Sequence, residues 1–212
     1  MKITGQLMLT LLLCAASISS MGQKKDIEAV SAAHRAFEAD MAAKRFAEAA
    51  DRTTADTKAY LDLWLQHALH GDSATVAGLP GLLRIGVFNY RHRVSVEEAQ
   101  KADYRSFFNF LCTLDLITPK AFASTGFTVE VKKDTAMVKA TLAGNPPTAE
   151  WPYVCAQKQW QLNLVPMLVL SAAQLDKAFA AQLMPPNDLI FLQMERHSGR
   201  TPSAAIWRPM VK

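Results

Sequence analysis

The chain has 212 residues, of which 50% are hydrophobic and 20% are charged, with 23 Lys and Arg against 19 Asp and Glu. This composition excludes the disordered, collagen-like and disulfide-scaffold classes and indicates a globular protein. The formal net charge of +4 is small, and the basic residues are scattered along the chain. We therefore expect no nucleic-acid partner.

The first 22 residues have the order of a secretory signal peptide. Lys2 precedes an apolar run over 7–18, and small residues follow, namely Ser19, Ser20 and Gly22. The run is shorter than the roughly 20 residues that a transmembrane helix needs. We expect a signal peptide over 1–22, a mature chain from Gln23 with no membrane partner after signal removal, and a periplasmic or secreted location.

Residues 26–50 are predicted to be helical with a break near Lys44, because Ala is abundant and neither Gly nor Pro interrupts the stretch. The apolar face of its first part repeats at spacings of three and four residues, at Ile27, Val30, His34, Phe37 and Met41. A third helix is expected to begin after a cap at Thr53 or Thr54 and to end at Gly71.

Shorter helices are predicted between Gly71 and residue 115. Pro80 suits the first turn of one helix, residues 95–98 match a capping box, and Asp103 suits the cap of the last helix.

The chain then changes to the period of β-strands. Apolar residues alternate with polar ones on both sides of a turn at 133–134, at Phe127, Val129 and Val131 and then at Val138, Ala140 and Leu142. Residues 144–148 are expected to form a loop. Two further strands are predicted over 153–156 and 160–165, and Pro166 is expected to end the second.

Residues 167–212 are predicted to form a helical extension. Ser171 is expected to cap one helix, Asn187 or Asp188 is expected to cap a second, and Gly199 is expected to end it. Trp207 indicates that the tail is docked, because packing a large aromatic side chain removes much apolar area from water.

Together these elements predict an α+β fold, with N-terminal helices packed on an antiparallel sheet over residues 23–166 and extra helices over 167–212. Three segments resemble the nuclear transport factor 2-like superfamily: residues 43–50 its small second helix, FTVEVKKDTAMVKATL its central hairpin, and PYVCAQKQWQLNLV its Trp-bearing terminal strand. The resemblance implies a curved, cone-like sheet that wraps a helix and encloses a cavity. Some members are isomerases, dehydratases or cyclases and many only bind ligands or partners, so fold alone does not assign function.

Four side chains are candidates for contacting a ligand in such a cavity. His34 shares the apolar face of the first helix, and Tyr60, Trp64 and His67 form a stripe on the third. Each also has a structural interpretation, as a hydrogen-bonded core histidine or part of an aromatic core stripe. The spacing of His67 and His70 is weak evidence for zinc, and no phosphate loop or nucleophile motif is found, so we expect no metal and no cofactor.

Two further groups have two interpretations each. Cys112 and Cys155 both lie in apolar sequence. They are either two buried thiols or one disulfide, which an exported protein can form. The basic residues 91–93 could bind an anion, but a charged helix end is the simpler interpretation, because cations near a helix C-terminus interact favourably with its dipole.

Three functions are open at this point. The first is an exported, non-catalytic protein that binds a small apolar ligand in a helix/sheet cavity lined by Val129, Val131, Val138 and Leu142. The second is a structural or protein-interaction module that forms a homodimer through its sheet and presents Phe191 and Trp207 to a partner. The third is a lyase or isomerase that uses His34 or His67 as its base.

Overall fold

The computed structural model describes the backbone of residues 4–142 and 148–211, and the side chains of residues 23–142 and 148–211. The side chains of the predicted signal peptide, and most of the predicted loop over 144–148, lie outside these ranges. Over the described residues, no helix combines the length and the apolar character that crossing a membrane would require.

The described chain is α+β, as the sequence predicts, with nine α-helices and a four-stranded antiparallel sheet. The helices are α1 Thr4–Ala42, α2 Phe46–Asp51, α3 Ala55–His70, α4 Ser73–Ala77, α5 Gly81–Arg93, α6 Val96–Ala99, α7 Tyr104–Thr113, α8 Val165–Ala180 and α9 Pro186–Ser198. The strands are β1 Ser124–Lys132, β2 Thr135–Leu142, β3 Thr148–Ala156 and β4 Gln159–Leu162. Two 3₁₀ turns cover Pro119–Phe122 and Ala204–Trp207.

Capping side chains fix several helix ends where the sequence predicts them. Thr54 accepts a hydrogen bond from the N–H of Thr57 at the start of α3, and Gly71 follows the last residue of that helix. Ser95 and Asp103 each close a capping box, at the starts of α6 and α7. The polar residues between the apolar runs therefore determine these boundaries.

The break between α1 and α2 is held by Asp40. Lys44 takes a left-handed φ of 58° in the turn. The buried carboxylate of Asp40 accepts hydrogen bonds from Arg45 Nη2 at 2.6 Å and Arg52 Nε at 2.5 Å. Burial by itself would raise the pKa of Asp40, but the bonds from Arg52 and Arg45 outweigh it and lower that pKa. The ion pairs thus fold α2 back beside α1.

The sheet is a meander in the order β1-β2-β3-β4. β3 begins at Thr148, earlier than predicted, and β4 ends at Leu162, earlier than predicted, so both strand predictions have one wrong boundary. Pro152 lies where β4 ends: the last pair of the ladder is Tyr153 with Leu162, and beyond it Asn163 donates its N–H to the Pro152 carbonyl at 2.8 Å. The N–H that Pro152 lacks therefore costs no bond of the ladder.

The chain after the sheet differs from the prediction at α8. Pro166 does not end a strand; it lies in the first turn of α8, where its missing N–H has no helical partner to lose. Ser171 is not a cap, because α8 already begins at Val165 and contains it.

α9 and the tail dock on the helices before the sheet. Pro185 precedes α9, so the caps predicted at Asn187 or Asp188 are wrong, whereas Gly199 ends the helix with a φ of 67° as predicted. Trp207 packs edge-on against Phe88 with ring centroids 4.8 Å apart, which confirms the predicted docking of the tail.

The elements form two layers around one core. α1 crosses one face of the sheet, whereas α3, α5, α7, α8 and α9 pack mainly against other helices. The C-terminal extension therefore covers the helical layer, and the sheet contacts α1.

Candidate functional site

His34 lies in the layer between α1 and the sheet and is fully buried. Its Nδ1 is 3.0 Å from the hydroxyl of Tyr153 on β3, and its ring meets that of Phe127 on β1 edge-on, with centroids 4.8 Å apart. Burial raises the pKa of Tyr153, so the phenol stays protonated and can form this bond. His34 thus joins α1 to two strands.

Glu38 lies one turn after His34 and faces its other ring nitrogen. Oε1 of Glu38 is 3.4 Å from His34 Nε2, and the same oxygen accepts a hydrogen bond from the N–H of Ser124 at 3.1 Å. The carboxylate would favour a charged imidazole, but Nε2 makes no hydrogen bond to any described residue. Burial lowers the pKa of His34 more than Glu38 raises it, so the imidazole is held neutral.

An aromatic cluster also joins α1 to the sheet. Phe122 stacks on Trp151 with ring centroids 4.4 Å apart, and Phe37 packs edge-on against Phe122 at 4.9 Å. All three are at most 3% exposed. Because His34 is itself fully buried, a base there has no open route to a substrate in this conformation.

The other predicted ligand residues lie in the helical layer. Trp64 is fully buried, donates its indole N–H to the carbonyl of Leu83 at 2.8 Å and packs on Phe107. Tyr60 is half-buried, and burial raises the pKa of its phenol. His67 is also half-buried. None of the contacts described for His34 involves these three residues, so the structure separates the predicted set.

Cys112 on α7 and Cys155 on β3 are both free thiols, so the structure contains no bond between them. Burial raises the pKa of the Cys112 thiol, and the nearby Asp115 raises it further. Cys112 is therefore an unreactive core residue at neutral pH.

A groove runs between α1 and the edge strand β1, and we call it the α1/β1 groove. It has a volume of about 680 Å³ and is lined by Ile27, Ser31, Arg35 and Glu38 of α1 and by residues 124–129. Arg35 is exposed, and its guanidinium carbon lies 5.6 Å from the centre of the Phe127 ring.

The apolar floor of this groove belongs to the inward face of the sheet. Phe127 and Val129 pair with Ala140 and Val138 across β1 and β2 and point to the same side. Ala140 and Val138 are fully buried, but Phe127 and Val129 are only half-buried. The difference arises because α1 covers the inward face of the edge strand β1 only in part. The uncovered part forms the floor of the groove.

Sequence reasoning did not identify this groove, although one signal was present. Ile27, Ser31, Arg35 and Glu38 recur at spacings of four, four and three residues, which makes them one stripe of α1. That stripe shares Ile27 with the apolar face that contains His34 and runs beside it. The position of β1 beside it depends on tertiary packing and could not be predicted.

The two edges of the sheet differ. The outer edge of β4 is bonded to the segment before α3, through Thr54 N–H to the Leu162 carbonyl at 3.0 Å and Leu162 N–H to the Arg52 carbonyl at 3.1 Å. Along β1, only the Ser124 N–H has a described partner beyond β2, the carboxylate of Glu38. The nine-residue β1 is thus the open edge of the described sheet.

The basic residues 91–93 lie in the last turn of α5, in agreement with the interpretation as a charged helix end. The helix that Arg91 caps, however, is α3. Arg91 donates to the carbonyls of Ala68 at 2.8 Å, His67 at 2.9 Å and Ile206 at 3.1 Å, and also to that of Gly71. Burial lowers the pKa of Arg91 to about 10. Its charge satisfies the free carbonyls at the end of α3 and ties the tail to them.

Phe191 and Trp207 are half-buried and pack on Phe88, so part of each side chain is exposed and their presentation to a partner stays a prediction. Within the described ranges, no group of three or more His, Cys, Asp or Glu side chains is arranged to hold a metal ion.

Comparison with protein-family models, with curated proteins and with solved structures finds no match to this chain.

Proposed function

We propose that this protein is a non-catalytic binding protein that holds a small apolar ligand in the α1/β1 groove. The observation that carries the proposal is the half-burial of Phe127 and Val129, which face the same side as the fully buried Val138. A ligand seated over them removes apolar area from water, and each 100 Å² so covered contributes about 2.5 kcal/mol.

The rest of the lining supports this assignment. Ile27 adds to the apolar floor from α1, while Ser31, Arg35 and Glu38 supply a few polar groups along the same helix. A groove of about 680 Å³ is within the size range of small-molecule sites, which are mostly apolar with a small number of placed polar groups. The polar stripe would orient one end of the ligand.

The proposal includes the export and the family that the sequence predicts. A periplasmic or secreted protein follows from the leader over 1–22, and a ligand-binding role accords with the resemblance to the nuclear transport factor 2-like superfamily. The lyase or isomerase alternative is less favoured, because His34 is fully buried and His67 lies in the other layer.

The test is native mass spectrometry of the chain from Gln23, secreted by a bacterial host, in three forms. Wild type should carry extra mass that denaturation releases. Val129→Lys places a charge on the apolar floor and should lose that mass, whereas Thr141→Lys, at an exposed position of β2 outside the groove lining, should retain it. Release of the same extra mass from the wild type and from both variants would contradict the α1/β1 groove as the site.

A second candidate function is a homodimer formed through the open edge of β1. The outer edge of this nine-residue strand favours it, because beyond Ser124 that edge has no described partner and an unpaired edge is a template for strand addition. A dimer mass with no releasable ligand would support this candidate and overturn the first.

A further inference from the structure

A second cleft lies in the helical layer, about 280 Å³ in volume, and we call it the α5/α9 cleft. Its walls come from α5, from the turn after α7 and from α9, with apolar residues that include Ile190 and Met194. Because α9 belongs to the C-terminal extension, the cleft exists only when the extension is docked.

One polar side chain is deep in this cleft. Asn89 is 6% exposed, and its Nδ2 donates to the Ile85 carbonyl one turn earlier at 2.9 Å. No hydrogen bond of the described residues uses its Oδ1. This oxygen is not among the buried atoms that lack a partner, so it is open to solvent and can accept a hydrogen bond from a molecule in the cleft.

Asp115 lines the same cleft, at a position where an aspartate is unfavourable for local stability. It lies just beyond the end of α7 with a left-handed φ of 56°, a conformation that Asn or Gly adopts more easily. A negative charge at a helix C-terminus is also disfavoured by the helix dipole. Asp115 forms no ion pair with any described residue, although it lines the cleft together with Arg93.

The cleft therefore combines a cation, an anion and an apolar wall. Arg93 is exposed and unpaired among the described residues, and His197 donates Nδ1–H to the Gln193 carbonyl at 2.8 Å, which leaves its Nε2 free. A guanidinium matches a carboxylate, and a carboxylate with an amide oxygen matches an ammonium group.

We propose that the α5/α9 cleft binds a free amino acid with an apolar side chain. The ammonium group donates to Asp115 and to Oδ1 of Asn89, the carboxylate accepts from Arg93, and the side chain packs on Ile190 and Met194. This site is separate from the α1/β1 groove and does not depend on the function proposed for it.

The test is isothermal titration of the chain from Gln23 with L-leucine, N-acetyl-leucine and leucinamide. Leucine should bind saturably, and the two analogues, which each lack one charge, should bind about tenfold more weakly or worse. Asp115→Asn suits the left-handed backbone and should abolish the preference for leucine over N-acetyl-leucine. Arg93→Gln should abolish the preference over leucinamide.

Two controls identify the site. Arg208→Gln changes an exposed arginine on another groove and should leave all three affinities unchanged. Val129→Lys should leave leucine binding intact even where it abolishes binding in the α1/β1 groove. Absence of saturable leucine binding at millimolar concentration, or equal binding of leucine and both analogues, would overturn the proposal.

Discussion

Trp64 on α3 and Gly86 on α5 are fitted to each other: a Cβ atom added to Gly86 would lie 2.5 Å from Cζ2 and 2.8 Å from Nε1 of the indole. The same indole N–H donates to the Leu83 carbonyl, one turn before Gly86. α3 and α5 therefore approach closely because Gly86 has no side chain, and this contact stabilises the helical layer.

Gly86→Ala should destabilise the protein by about 1–3 kcal/mol, because the methyl group overlaps a buried indole that cannot move freely. Gly78→Ala is the matched control, since an added Cβ there meets nothing closer than 3.6 Å. The control should leave the free energy of unfolding unchanged or raise it by up to about 1 kcal/mol. Urea unfolding measures both, and equal values would contradict the close contact.

Asp40→Asn should reduce the free energy of unfolding by about 2 kcal/mol, because it removes the charge that accepts from Arg45 and Arg52 at a buried position. Glu130→Gln is the control, because its ion pair with Lys139 is exposed. The control should change stability by less than about 0.5 kcal/mol. A loss in Asp40→Asn as small as that of the control would refute this role of Asp40.

Arg91→Lys should release the tail, since one ammonium group cannot reach the carbonyls on both α3 and residue 206. We expect faster hydrogen exchange at Met210 and Val211, whose N–H groups donate to the Leu69 carbonyl at 2.8 and 3.1 Å. Arg93→Lys, on the exposed side of α5, should leave this exchange unchanged. Protection that persists at both amides in Arg91→Lys would show that the arginine is not the attachment.

Stability should fall on acidification below pH 6.5. Burial lowers the pKa of His34 below its ordinary value of 6.5, so the unfolded chain binds a proton that the folded chain resists. This contribution to the free energy of unfolding is fully present above pH 6.5. It is lost as the pH falls through the lowered pKa that His34 has in the folded state. His92 acts in the same direction, since burial and the charges of Arg200 and Arg93 lower its pKa.

The measurement is the pH dependence of urea unfolding for wild type, His34→Gln and His92→Gln. In each variant the free energy of unfolding should change less with pH between pH 5 and 6.5 than in wild type. Each variant removes one of the two contributions, that of His34 or that of His92. A His34→Gln slope equal to that of wild type would contradict the buried, neutral state of His34.

The elements with local signals could be predicted from the sequence. Thr54, Ser95 and Asp103 act as caps through hydrogen bonds within three residues, so their chemistry is readable from spacing alone. The start of α8 could not be read in this way, because Pro166 is compatible both with a strand end and with a first helical turn.

The candidate site was predictable only in part. The apolar face of α1 correctly indicated that His34 points into the core, but its partners Tyr153 and Phe127 lie on strands far along the chain. Tyr60, Trp64 and His67 lie on one stripe of α3, but their spacing does not indicate which layer of the fold that stripe faces. The α1/β1 groove depends on how α1 crosses the sheet, which no local pattern specifies.

The most direct test of the α1/β1 groove is methyl NMR of the chain from Gln23 during titration with 1-octanol, a small apolar probe. We expect saturable shifts of the Val129 and Ile27 methyl resonances, with no change at Val76, which is fully buried in the helical layer. Saturable shifts at the exposed Leu170 or Leu183 instead, or none at Val129, would contradict it.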